Sequence, residues 1–259
     1  MGLFPRKIVC LTEESVEILY RLKKQHLIGG ISVYVERPPE AKNNHPKVTA
    51  FTGGSLQKIV DLKPDLVLGF SDIQKDFARD LIGAGLNVYI SNQRSIEEIF
   101  DYMFFVGQLV GEAEVVQKWI DELRRQLDLT YKQSQQWTKK PKVYFEEWDQ
   151  PMISAIKWVS ELIEYCGGID IFSDRSSGLL AKERFVTTQE VEERKPDLMF
   201  SCWCGKAMDV QDIARRLPFL NLSRLHELSP SIFLQPGPAP LEEGLMIMHT
   251  LLKKFNNHD

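Results

Sequence analysis

This sequence predicts two α/β units joined by a long helix, and three observations predict it. Short apolar runs alternate with amphipathic stretches in both halves of the chain. One phrase occurs twice, SLQKIVDLKPDLVL from Ser55 and TTQEVEERKPDLMF from Thr187, with Lys63 and Lys195, and Gln57 and Gln189, each offset by 132 residues. Between the copies runs a long stretch of helical periodicity. A chain of 259 residues has room for two domains, since domains commonly have about 100–150 residues.

In the first unit KIVCL reads as a strand, SVEILYRL as a helix, GGISVYV as a strand, SLQKIVDL as a helix, DLVLGF as a strand, FARDLIGAG as a helix and NVYIS as a strand. Strands and helices in turn, with glycines at the joints, predict parallel strands linked by crossover helices. From Ile96 apolar residues recur at three- and four-residue steps, with Gly107 and Gly111 marking a break. The following helix, about 25 residues or about 37 Å long, is sufficient to cross between domains. After KQSQQWTKKPK the alternation resumes: VYFEEW as a strand, SAIKWVSELIEYCGG as a helix ending at a glycine pair, TTQEVEERK as a helix and DLMFSCW as a strand. LEEGLMIMHTLLKKF closes the chain as a helix with Lys253 and Lys254 in its last turn, where the helix dipole favours cations. The expected boundaries are residues 1–111 for the first lobe, 112–138 for the bridge and 139–259 for the second lobe.

The repeat has a mechanical reading. Ser55 and Thr187 can cap a short helix, Glu190 completes a capping box in the second copy, and the proline after each lysine stops the helix before a buried strand.

Composition narrows the function. Hydrophobic residues make up 43% and charged residues 26%, as in an ordinary globular protein, and the net charge of −4 gives no basic surface for nucleic acid or an anionic membrane. The N-terminus passes from two basic residues into only four apolar ones, Ile8 to Leu11. A signal peptide needs about 7–15 there. The expectation is therefore a cytoplasmic protein, periplasmic or lipid-anchored only if a leader has been removed. Arg6 occupies the position where a myristoylation signal needs Ser or Thr. The cysteines are Cys10, Cys166, Cys202 and Cys204; the last two, in CWC, are too close for a zinc knuckle and have no second pair, so no metal site is expected and they read as reduced thiols near a strand end. No HxxxH pair, GxSxG elbow or dinucleotide fingerprint appears.

An ordered series of segments resembles the substrate-binding proteins of vitamin B12, haem and iron-siderophore importers, of the class III periplasmic-binding-protein-like type, most closely the cobalamin-binding branch. The segments are LTEESVEILYRL, RPPEAKN, FTGGSLQKIVDLKPDLVLGF, FEEWDQPMISAIKWVSELIEYCGGIDIF, SCWCGK and SPSIFLQPGPAPLEEGL. The resemblance implies two Rossmann-like lobes, parallel-rich sheets flanked by helices, joined by one long rigid helix with a ligand cleft between them. It implies a binder rather than an enzyme, needing no resident cofactor. The candidate ligand is cobalamin or a related corrinoid or metal chelate. In transporting relatives a glutamate near the start of the repeated helix docks each lobe onto permease arginines; here those places hold Gln57 and Gln189. An amide lacks the charge and one of the acceptor oxygens of a carboxylate, so transporter docking is placed in doubt and a cytosolic carrier, buffer or sensor is expected. The alternatives are an importer component without its leader, and a tetrapyrrole-modifying enzyme or chelatase using Glu13, Glu147 and His226.

Ligands of open α/β lobes meet the loops beyond the carboxyl ends of the strands. That rule nominates Glu13, Tyr34, Arg37 and Phe70 in the first lobe and Trp148, Trp203 and Lys206 in the second. Phe51 and Phe70 match positions where the cobalamin-binding relatives carry tryptophans against the corrin, and a phenylalanine offers less area and no indole donor. His226 is the histidine expected to approach a metal centre as an axial ligand. Trp119 and Trp158 lie in helical stretches and read as packing.

Overall fold

The computed structural model describes residues 4–50 and 53–258 and divides the chain into two units, the first ending at Asp121 and the second beginning at Glu122, with Arg94–Ile96 in the second. In the first unit the strands are β1 (Ile8–Cys10), β2 (Ile28–Ser32), β3 (Lys47–Thr49), β4 (Leu66–Phe70) and β5 (Val88–Ser91). The helices are α1 (Glu13–Arg21), α2 (Ala41–Asn44), α3 (Leu56–Leu62) and α4 (Lys75–Gly83), followed by α5 (Ile96–Leu109) and α6 (Ala113–Ser134). The sheet order is β3-β2-β1-β4-β5 and every pairing is parallel. The chain starts at the central strand, builds outward on one side, then crosses to the other. The strand order therefore reverses between β1 and β4, and there the carboxyl-end loops diverge to leave room for a ligand. Val9, Leu11, Val67, Ile59, Phe77 and Leu81 pack as one core cluster with α3 and α4 covering the sheet.

The second unit contains β6 (Lys142–Asp149), β7 (Met152–Ser154), β8 (Ile169–Asp170), β9 (Leu198–Ser201) and β10 (Leu225–Glu227). Its helices are α7 (Lys157–Tyr165), α8 (Thr188–Arg194), α9 (Val210–Arg216), α10 (Pro230–Phe233) and α11 (Leu245–His258). The order is β10-β9-β6-β7, with β8 also beside β6; all pairs are parallel except β6–β7. Strands β3, β7, β8 and β10, of two or three residues each, are too short to show a period and were not legible in the sequence. Helix α6 carries the chain from the first unit into the second. The break before it falls at Gly111, whose φ of +75° suits glycine. At the other predicted glycine pair, Gly167 has φ +88° and a Cβ there would lie 2.5 Å from Ser134 Cβ, so α7 can end against α6 only with glycine at that place.

The repeated phrase builds the same device twice. Ser55 Oγ accepts from the Lys58 N–H and Thr187 Oγ1 from the Glu190 N–H, each at 3.3 Å. Lys63 and Lys195 then end α3 and α8 in the left-handed conformation, φ +49° and +51°. The aspartate two residues on clamps the start of the central strand. Asp65 Oδ2 accepts from the Arg6 and Lys7 N–H groups at 2.7 and 2.8 Å. Asp197 Oδ2 accepts from the Lys142 N–H at 2.7 Å. The KPD phrase is thus a cap, a stop and a strand clamp.

Candidate functional site

At the carboxyl edge of the first sheet, α1 begins directly after β1 and takes two glutamates into the interior. Glu13 is 3% exposed and Glu14 fully buried. Glu13 Oε1 accepts from the Glu36 N–H at 3.2 Å, and Glu14 accepts from the Thr12 hydroxyl. Their second oxygens have no hydrogen-bond partner among the described residues. Burial pushes Glu13 up to about 8 and Glu14 up to about 7. Burial thus shifts both groups toward the protonated form relative to water-exposed glutamates.

The neighbouring candidates divide. Tyr34 is 63% exposed beyond β2, flanked by the exposed Val33, and Ile73 is exposed after β4. These three give the edge an apolar surface. Arg37 reaches α1, its Nε 3.1 Å from Glu17 Oε1. Phe70 is buried at the end of β4, and its N–H donates to Gln74 Oε1 at 3.0 Å. Gly69 beside it lets Gln74 approach, for a Cβ there would stand 2.5 Å from Oε1. Phe51 lies outside the described residues.

In the second unit the pairing of β6 with β9 brings two nominated loops together, Glu146 lying opposite Ser201. Trp203 is 3% exposed and belongs to the core cluster with Tyr144, Phe172 and Ile213, while the half-buried Trp148 packs on its rim. Lys206 Nζ lies 4.6 Å from the Trp148 ring centroid, 4.8 Å from that of Trp203 and 2.5 Å from Asp149 Oδ2. Burial works to raise the Asp149 carboxyl, but the hydrogen bond and charge of Lys206 outweigh it and hold Asp149 below the ordinary carboxylate range.

Two arginines that no sequence pattern marked complete this edge. Arg216, at the end of α9, bonds both oxygens of the fully buried Glu146 at 3.2 and 3.0 Å, and Tyr144 donates to the same carboxylate at 2.7 Å. Arg184, itself buried, grips Glu147 at 2.5 and 3.2 Å and the Ser154 carbonyl at 2.6 Å. The adjacent glutamates, which point to opposite faces of a strand, are both committed to ion pairs. His226 sits half-buried in β10 with its ring 5.8 Å from Phe200, and burial lowers its pKa. Among the described residues no three His, Cys, Asp or Glu side chains gather as metal ligands, and no helix is long and apolar enough to cross a membrane.

The family model described as periplasmic binding protein matches residues 8–222. The chain belongs to that family. A vitamin B12-binding protein of Vibrio campbellii is 28% identical over 200 residues, 76% of this chain and 70% of the relative. One from Vibrio parahaemolyticus is 24% identical over 241 residues, 91% and 85% of the two chains. Among solved structures, the periplasmic vitamin B12 binding protein of Vibrio cholerae superposes with a TM-score of 0.75 at 21% identity, covering 98% of this chain and 99% of its own. A periplasmic haem-binding protein of Pseudomonas aeruginosa gives 0.78 at 15%, covering 96% and 93%. The fold is thus the two-lobed α/β fold of those binding proteins.

Gln57 and Gln189 lie exposed on α3 and α8, and each amide donates to a carboxylate one turn on, Gln57 to Asp61 at 2.7 Å and Gln189 to Glu193 at 2.8 Å. Those acids are themselves 132 residues apart. A carboxylate therefore stands one turn from each glutamine.

Proposed function

We propose that this chain is the ligand-binding component of an importer for a flat metal chelate of the cobalamin, haem or ferric-siderophore kind, working outside the cytoplasm. The observation that supports it most is membership of the periplasmic binding protein family over residues 8–222, joined by relatives named for vitamin B12 binding. The carboxyl edges suit such a guest. The first offers an exposed tyrosine and two exposed aliphatic side chains, with two buried glutamates at the start of α1, and the second an indole beside a compensated lysine. Aromatic faces supply area and orientation to a flat ring at small entropic cost.

The cytosolic reading, which rested on the two glutamines together with the short apolar run at the N-terminus, loses one of its supports, because each glutamine keeps a carboxylate within hydrogen-bond distance that a basic partner can engage. A chelatase reading is also weakened, because Glu147, its nominated base, is held by both terminal nitrogens of Arg184.

The test is titration of the purified protein with cyanocobalamin, haemin and a ferric hydroxamate, followed by absorbance and calorimetry. A saturable complex with one of the three is expected. Failure of all three to bind below about 100 μM, or about 5.5 kcal/mol, overturns the ligand assignment.

A further inference from the structure

The loop after β9 places one ammonium against two indole faces and a carboxylate. Lys206 Nζ is 4.6 Å from the Trp148 ring, 4.8 Å from the Trp203 ring and 2.5 Å from Asp149 Oδ2. A cation enclosed by aromatic faces and an acid is how proteins hold organic ammonium groups, because the negative faces of the rings attract charge most strongly where water is excluded. Adjacent parallel strands supply the parts, Trp148 and Asp149 from the end of β6 and Trp203 from just beyond β9.

Two observations separate this cluster from an ordinary surface ion pair. Trp203 Nε1 and Asp149 Oδ1 are buried and have no hydrogen-bond partner among the described residues, although their residues are 3% and 8% exposed. An unpaired buried polar atom costs about 1–3 kcal/mol, so a donor or acceptor delivered by a ligand would be favoured there. The occupant is also poorly matched. The Lys206 side chain is 40% exposed and follows Gly205, which has φ +79°, and a primary ammonium is strongly hydrated. A methylated ammonium sheds water at smaller cost and presents more apolar surface to the rings.

We propose that Trp148, Trp203 and Asp149 form a binding site for an organic ammonium group, with Lys206 as a built-in competitor that closes it. The site does not depend on the chain carrying a metal chelate. A ligand ammonium entering the cage displaces Lys206, so ligands bearing such a group are selected over neutral ones of the same shape.

The experiment titrates the full chain with choline and with its neutral isostere 3,3-dimethylbutan-1-ol, reading tryptophan fluorescence and heat. Lys206→Ala is expected to bind choline at least about ten-fold more tightly than the wild type, and Trp148→Leu in that background is expected to abolish binding. The neutral isostere is expected not to saturate. Equal choline affinity in wild type and Lys206→Ala, an equal response to the isostere, or no saturation in either protein up to about 10 mM overturns the proposal. Lys206→Gln, which keeps the side-chain stem, serves if circular dichroism shows that the alanine variant misfolds. The metal-chelate titrations are read separately, so failure of one assignment does not pass for failure of the other.

Discussion

The carboxyl edges of the two sheets solve one electrostatic problem in opposite ways. Beside β1, Glu13 and Glu14 are buried against a backbone N–H and a hydroxyl, and desolvation lifts them to about 8 and 7. Beside β6, Glu146, Glu147 and Asp149 are met by Arg216, Arg184 and Lys206. The first edge shifts its acids toward the neutral form, whereas the second pairs them with cations, although burial still raises the pKa of Glu146 beside Arg216. Burying a carboxylate in isolation is so costly that it must gain a proton or a partner.

The strongest way to break this contrast is to remove a cation from the second edge. Arg216→Met leaves Glu146 buried without its bidentate partner and should cost about 3–5 kcal/mol, measured as a lowered urea midpoint. A loss below about 1 kcal/mol would mean that Glu146 is as content with a proton as Glu13.

The first edge responds to pH. A carboxyl whose folded pKa is raised takes up a proton on folding, so its contribution is fullest below the ordinary value of 4.5 and is lost as pH climbs through about 8 for Glu13 and about 7 for Glu14. The stability of the first unit should fall by up to about 1.4 kcal/mol per pH unit for each group, between about pH 5 and 7 for Glu14 and between about pH 5 and 8 for Glu13. Glu13→Gln should flatten that slope in thermal melts recorded across the range. An unchanged slope would show that Glu13 is ionised in the folded protein.

The repeated module permits a smaller, matched test. Thr187 shares a capping box with Glu190, which also receives Arg175, whereas Ser55 makes the single bond to the Lys58 N–H. Thr187→Ala should therefore cost about 1–2 kcal/mol and Ser55→Ala about 0.5–1 in chemical denaturation. Smaller still, Gln57→Glu and Gln189→Glu replace an amide-to-carboxylate bond by like charges one turn apart, and each should lower stability by about 0.3 kcal/mol at low salt. The same pair of variants should strengthen association with a basic permease surface if charge alone sets docking.

Much of the fold was legible because periodicity and punctuation are local. The alternation of KIVCL, SVEILYRL and GGISVYV, the cap at Ser55 or Thr187 and the stop at each KPD all act within a turn or two of chain. Short strands such as β3 and β10 escaped, since their residues become strands only by pairing with a neighbour. The site was partly legible. The carboxyl-edge rule nominated Trp148, Trp203 and Lys206 together, but not that Trp203 would be a core residue with a face turned to the lysine. Arg184 and Arg216 gave no signal, for they lie 37 and 70 residues from the glutamates they neutralise.

By itself the sequence determined the longer helices and strands, that the module is used twice, and which loops cap the sheets. The tertiary structure alone decided which carboxyls are buried without a cation, which meet arginines and which ammonium lies between two indoles. Desolvation and ion pairing depend on a few ångströms between atoms from distant elements, whereas caps and periodicity are settled by the nearest neighbours in the chain.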